Sequence, residues 1–305
     1  MRNEYHSPTS YHNGELAAQE RAGFRFEASR IEPIISGAIP RGADRFLASQ
    51  KLLIIGASDV AGDMWASVLY GRPGFVTVPD PRTLLVAAEP VTPDPLAGAL
   101  RQPSRVGTLA IDFPTRRRFR INGRSTPTSG GLQISVDQAY GNCPQYIQQR
   151  IPGEISSAQQ PVSLSSGTSL TPREQISIAE ADTFFVASAS TAGDADVSHR
   201  GGNPGFVKIL GPNRLKWPDY SGNKMLMTLG NFSQNPAAGL LFIDWTNGNS
   251  LHLTGGVEIE WEQSAKMPGA ERSVIFTVKR TVQVSHDEAP DWSRPHFSRF
   301  NPPAN

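Results

Sequence analysis

The sequence predicts a mainly β protein of two homologous domains, each made mostly of antiparallel strands with short helices. Three observations carry that prediction. Apolar runs of strand length recur along the chain, separated by Gly, Pro, Asn and Asp turns. A pattern in the first half returns in the second at a nearly constant offset. And 305 residues leave room for two domains of ordinary size.

The repeat is specific. Pro73-Gly74-Phe75-Val76 returns as Pro204-Gly205-Phe206-Val207, an offset of 204 − 73 = 131. Gly62-Asp63 returns as Gly193-Asp194 at the same offset, and Ser67 matches Ser198. Leu109-Ala110-Ile111-Asp112 returns as Leu241-Phe242-Ile243-Asp244 at 132, as do Gly107 and Gly123 as Gly239 and Gly255. The expected organisation is an N-terminal extension (1–42), a first domain (43–153), a Ser/Gln/Gly-rich linker (154–170), a second domain (171–285) and an irregular proline-rich tail (286–305).

Residues 15–22 read as a short helix and 43–50 as another, leading into an apolar strand at 52–57. Strands follow at 64–69, 75–78 and 83–87. Asp94 caps a short helix with Pro95 at its first position. Further strands lie at 106–113, 118–124 and 132–136. In the second half Thr171-Pro172 with Glu174 forms a capping box. Strands at 184–189, 195–200, 206–210 and 214–217 precede a helix at about 223–233, stopped by Asn235-Pro236. The strands 240–245 and 250–261 turn on Asn247-Gly248, and 274–284 is the last.

Composition narrows the function. Net charge is +1, so no global field points to nucleic acid or a membrane surface. One cysteine, Cys143, excludes an internal disulfide and a cysteine-based metal site, and reads as a small buried hydrophobe. No apolar signal core or membrane-length run occurs, so a cytoplasmic protein is expected. The six histidines show no metal-ligand spacing. No dinucleotide fingerprint, P-loop or nucleophile elbow is present. The basic run Arg116, Arg117, Arg118, Arg120 and Arg124 reads as a solvated hairpin tip.

The densest set of anion-gripping groups lies at 197–244: Ser198, His199, Arg200, Lys208, Asn223 and Lys224. A phosphate monoester is held by charge-assisted hydrogen bonds and by the free N–H groups of a helix start. Asn223 is the expected cap and Lys224 falls in the first turn, where a bound anion offsets the unfavourable helix dipole. Spacing alone leaves these cations readable as ordinary surface charge. The repeat separates the readings. Subtracting 131 places Arg200 on Leu69, His199 on Val68, Lys208 on Thr77, Asn223 on Thr92 and Lys224 on Pro93. Fold-bearing residues survive in both copies and phosphate-competent ones in one, which favours one intact anion site and one degenerate copy.

Residues 184–261 resemble the pyridoxamine 5′-phosphate oxidase-like, FMN-binding split-barrel family. Strand, Gly-Asp turn, strand, hairpin, polar loop, helix, Asn-Pro and Ile-Asp strand follow that family's order. The first half resembles the same barrel more weakly, and the run at 142–147 resembles a segment following it in some relatives. The resemblance implies two tandem antiparallel split β-barrels. It implies FMN as cofactor, with Arg200, Lys208 and Lys224 on the phosphate. Lys224 matches the lysine of the family's Ser-Arg-Lys helix start, and Asn223 replaces the arginine. Trp217, Pro218 and Asp219 match the loop beside the isoalloxazine, and Ser198, His199 and Arg200 the strand lining the flavin.

Family members are usually homodimers with FMN between two barrels. A tandem chain can make that pair internally, with the first barrel as second wall, and a homodimer of the chain stays open. The expected activity is an FMN-dependent oxidoreductase acting on a small molecule. The alternatives are a flavin-binding protein without turnover and a haem-binding one, for which His199, His286 or His296 would be the axial ligand. No side chain is marked as a general acid or base.

Overall fold

The computed structural model describes residues 10–154, 162–262, 267–286 and 289–303. Helices α1 (Asn13–Arg21), α2 (Arg25–Ile31) and α3 (Ala43–Ala48) precede the first sheet. Its strands are β1 (Leu52–Ser58), β2 (Met64–Tyr70), β3 (Val76–Asp80), β4 (Thr83–Val86), β5 (Ser104–Asp112), β6 (Arg117–Thr128) and β7 (Gly131–Asn142). The second half comprises β8 (Val162–Gly167), α4 (Pro172–Glu180), β9 (Thr183–Ala189), β10 (Ala195–Gly201), β11 (Lys208–Gly211) and β12 (Arg214–Tyr220). It ends with α5 (Met227–Gln234), β13 (Ala237–Ile243), β14 (Ser250–Glu260) and β15 (Ala270–Ser285).

Two antiparallel split barrels result, with the same strand order. The first runs β2-β1-β5-β6-β7-β4-β3 and the second β10-β9-β13-β14-β15-β12-β11, with β8 added beside β15. Even the register agrees. Gly56 opposes Gly107 in the first sheet and Ala187 opposes Gly239 in the second. Each barrel has its own core: Trp65, Leu53 and Ile121 in one, Trp217, Phe184 and Phe276 in the other.

A third apolar cluster joins the barrels. Strand alternation sends Leu53 and Ile55 into the first core and Leu52 and Ile54 outward against Phe185, Val197 and Leu241. Strands β1, β2, β9 and β10 are therefore buried on both faces, which is why they read as continuous apolar runs. The barrels approach through two matched glycines. A Cβ on Gly107 would lie 2.6 Å from the backbone of Asp196, and one on Gly239 would lie 2.4 Å from that of Trp65. This close contact leaves no room for a side chain at either position. Gly239→Val should lower stability by about 1–3 kcal/mol through overpacking. The urea midpoint reads it, with Gly98→Ala, where a Cβ meets open space, as the unaffected control.

Several expectations change. Within the expected linker, residues 162–167 form β8, and 155–161 lie outside the described residues. The helix expected at 223–233 begins only at Met227, after Leu226 with φ 53° and without a side-chain cap. Asp94 caps no α-helix: its Oδ1 accepts from Leu96 N at 2.8 Å and from Ser67 Oγ at 2.7 Å, and only a short 3₁₀ turn follows at Ala99–Arg101. Cys143 is half-buried rather than enclosed. The tail forms bridges from Trp292 to Pro152 and from His296 to Gln149. No described helix is long and apolar enough to cross a membrane.

The N-terminal segment is part of the second barrel's covering. Helix α1 lies on α5, and a Cβ on Gly14 would stand 2.5 Å from Gly230 O. His12 Nδ1 accepts from Gly14 N at 3.1 Å, which leaves Nε2–H to donate to Asn231 Oδ1 at 2.8 Å. Glu15 closes the capping box and is only 3 % exposed. Burial pushes its carboxyl from an ordinary 4.5 up to about 8. Between those values the folded chain keeps a proton that the unfolded chain has released, so this contribution to stability falls as pH rises from about 4.5 to 8. Glu15→Gln should flatten that slope in urea titrations across the range; an unchanged slope would refute the assignment.

Candidate functional site

A cavity of about 100 Å³ opens where the two barrels meet. The second barrel contributes the end of β10 (Ser198, His199, Arg200), Pro218 and Asp219 of β12, the loop before α5 and the first turn of α5. The first barrel contributes Arg118 and Arg120 from β6 and Tyr146 beyond β7. The site thus exists only because β10 of one barrel lies across β6 of the other.

Three guanidinium groups converge here. Arg120 is held from behind: Nη1 donates to Asp196 Oδ2 at 3.2 Å, and Nη2 donates to Ser198 Oγ. Asp196 also accepts at Oδ1 from Asn122 Nδ2 at 3.2 Å and from Tyr140 OH at 3.3 Å. Ser198 Oγ is 2.7 Å from Thr228 Oγ1, which ties β10 to α5. Arg118 Nη1 lies 3.3 Å from His199 Nδ1. A guanidinium only donates, so Nδ1 accepts and the proton of the neutral imidazole sits on Nε2. Arg200 Nη1 donates to the carbonyl of His199 at 3.2 Å.

Burial, then the neighbouring Arg120 and Arg200, pushes the Arg118 guanidinium down to about 9. Burial also lowers Arg200, and burial with Arg118 and Arg200 beside it holds His199 well below its usual range. Among the described residues, the buried Nε atoms of Arg118, Arg120 and Arg200 and the Nε2 of His199 have no partner. Buried donors are ordinarily satisfied, so this set fits an oxyanion accepting several N–H bonds. That donor chemistry suits the phosphate of FMN.

The cations on the cavity's other rim are already paired. Lys224 Nζ donates to Ser221 Oγ and Glu271 Oε1, each at 2.7 Å, and lies 4.0 Å over the Phe24 ring. Arg272 donates to Glu271 Oε2 at 2.6 Å and from Nε to Asp219 Oδ2 at 3.0 Å. Lys224, Glu271, Arg272 and Asp219 form one chain of alternating charge.

Of the residues singled out in the sequence, Ser198, His199, Arg200, Pro218, Asp219, Asn223 and Lys224 line the cavity. Lys208 does not: it lines a shallow recess with Asn203 and Pro302. Trp217 turns into the barrel core against Phe184 and Phe276, and with Pro218 and Asp219 it belongs to a strand, not a loop. Asn223 caps no helix; its Nδ2 donates to Asn142 Oδ1 at 2.7 Å and its Oδ1 accepts from Met225 N at 3.2 Å, bracing the loop. Lys224, with φ 62°, stands before the helix and outside its first turn.

Arg118 and Arg120, expected at a solvated hairpin tip, instead line the cavity. Sheet register supplies the signal that finds them. Arg118 opposes Ile111 and Arg120 opposes Leu109, while their counterparts Ser250 and His252 oppose Ile243 and Leu241. The cations of β6 are thus as one-sided as those of β10. At the related position His252 Nδ1 contacts Ala66 O at 2.9 Å and Ser250 Oγ contacts His252 Nε2 at 2.7 Å, closing that side with neutral groups.

No protein-family profile and no curated protein matches the chain. Among solved structures, HupZ of Group A Streptococcus aligns over 41 % of this chain and all of its own, at 11 % identity and TM-score 0.30. An FMN-binding protein from Syntrophomonas wolfei aligns over 36 % of this chain and 86 % of its own, at 10 % identity and TM-score 0.26. A protein from Clostridium acetobutylicum, related to general stress protein 26 and described as of the pyridoxinephosphate oxidase family, aligns over 32 % and 75 %, at 15 % identity and TM-score 0.26. Structures to which this chain is similar thus include FMN-binding and pyridoxinephosphate oxidase-like proteins, each over less than half of its length.

Proposed function

We propose that the chain is an FMN-dependent oxidoreductase acting on a small molecule, with one cofactor site per chain at the junction of its barrels. The observation that carries this reading is the set of unpartnered buried donors on Arg118, Arg200 and His199 in one cavity. Arg118 and Arg200 would hold the cofactor phosphate, with the Nε2–H of His199 as a neutral donor. Arg120 acts behind them as a strut whose own charge Asp196 offsets. When bound, FMN supplies hydride or electron transfer. The residues of the chain position it, exclude water from its phosphate and set the local field.

The shared strand order and register support descent of both barrels from one ancestral unit. On that reading the second junction lost its site when Leu69, Ser250 and His252 stood where Arg200, Arg118 and Arg120 stand in the first. On the family resemblance, a pair of barrels usually made by two chains would here be made by one.

The test is titration of the purified chain with FMN, followed by flavin fluorescence and absorbance. Saturation at one FMN per chain is the expected result. No binding, with a featureless spectrum, would sink the proposal. A bound flavin that no pyridine nucleotide reduces and no acceptor reoxidises would instead mark a flavin-binding protein without turnover.

A further inference from the structure

A second concavity, of about 630 Å³, lies beside the cavity and shares Arg118 and Asn142 with it. It is formed by the start of α3, the β5–β6 turn and the end of β7. Four arginines line it, Arg41, Arg116, Arg117 and Arg118, together with Phe46 and Phe119, and no Asp or Glu does. Among the described residues none of the four pairs with a carboxylate. Arg116 is pinned by neutral groups: Nε donates to Ile147 O at 2.9 Å and Nη2 to His296 O at 3.0 Å. The Arg117 guanidinium lies 5.2 Å over the Phe46 ring. Asp112, the carboxylate nearest Arg116 along the chain, is engaged by the Thr115 hydroxyl, and Asp44, three residues from Arg41, does not line the groove.

The equivalent groove of the second barrel shows that the fold does not impose this charge pattern. It lies between α4, the β13–β14 turn and the end of β15, and measures about 510 Å³. There Glu174, Glu180, Asp182 and Asp244 accompany Arg150, Arg173 and Arg294, and Arg150 Nη2 donates to Asp182 Oδ2 at 2.6 Å. The second groove therefore mixes both signs of charge and the first carries only one. Four like charges in one concavity repel each other, and a chain of net charge +1 has acids enough to avoid it.

We propose that the arginine groove binds a small polyanion, a molecule carrying two or more phosphate or carboxylate groups, next to whatever occupies the cavity. Its volume is that of a small-molecule site, roughly 300–1,000 Å³. Arg118 faces both spaces, so a ligand in the groove sits beside the cofactor site, where a co-substrate would. The inference deepens the oxidoreductase reading by giving its substrate a chemical class, yet the groove's charge is independent of flavin.

Tripolyphosphate is the probe, followed by calorimetry at low and raised ionic strength. The full chain should bind tripolyphosphate in the groove, with one equivalent retained when Arg200→Gln disables the cavity, and affinity should fall with salt. Arg41→Gln/Arg117→Gln, both exposed and outside the cavity, should weaken tripolyphosphate by about tenfold or more and leave FMN affinity within twofold. Arg200→Gln, which disables the cavity, should still bind tripolyphosphate. Tripolyphosphate affinity unchanged in the Arg41/Arg117 variant, or no binding by the unaltered chain, would overturn the proposal. So would tighter binding of a single-stranded oligonucleotide lost in the same variant, since that marks a nucleic-acid surface. Failure of FMN to bind leaves the Arg200→Gln arm readable, so the two proposals fail separately.

Discussion

Arg118→Gln and Arg200→Gln should each weaken FMN binding by roughly ten- to a hundredfold, the value of one charge-assisted hydrogen bond at about 1.5–3 kcal/mol. Both side chains reach the cavity from different barrels, and each keeps a buried Nε without a protein partner. Neither substitution removes a carboxylate's partner, so neither should unfold the chain. Two controls discriminate this assignment from the one spacing favours. Lys224 is neutralised by Glu271, so Lys224→Gln should cost less than either arginine. Lys208 lies outside the cavity, so Lys208→Gln should leave affinity unchanged. Fluorescence titration with FMN reads all four variants. A full effect at Lys224 with none at Arg118 would reverse the assignment and return the phosphate to the loop.

Asp196→Ala should destabilise the protein by about 3–5 kcal/mol, the cost of leaving a buried charge without its partner. Asp196 is 3 % exposed and accepts from Arg120, Asn122 and Tyr140. Its loss leaves Arg120 buried beside Arg118 and Arg200 with no counter-charge. The double variant Asp196→Ala/Arg120→Met should regain much of that loss, because it removes the stranded charge as well. Urea denaturation of the single and double variants measures both. Equal midpoints for the two would mean that Arg120 finds another counter-charge and that the junction is not held in this way.

The fold was legible because the repeat was. Pro73-Gly74-Phe75 and Pro204-Gly205-Phe206, read with the Gly-Asp turns, fix where each barrel starts its second hairpin, and alternation supplies the strands. Boundaries failed where tertiary contacts overrode local signals. Asn223 and Lys224 look like a helix start, yet Gln19 of α1 donates to Met225 O at 2.9 Å and holds that stretch in a loop. Of the site, the half on β10 was legible, since His199 and Arg200 follow Ser198 directly while Val68 and Leu69 follow the matching Ser67. The half on β6 was not, because only the packing of one barrel across the other takes Arg118 and Arg120 out of solvent. Adjacent arginines beside a Pro-Thr turn carry no local sign that a second domain covers them. Trp217 misled for the opposite reason: chain position suggested the ligand, and strand alternation sent it to the core.

The wall bearing Arg118 and the wall bearing Arg200 belong to one polypeptide, and this has a thermodynamic consequence. A site made by two separate chains assembles only above their dissociation constant, so its occupancy tracks how much protein is present. Covalent linkage replaces that requirement with an effective concentration, on the order of millimolar for short connections. Dilution cannot take this cavity apart. On the proposed reading, its loading with FMN would follow the ligand concentration and not the amount of protein.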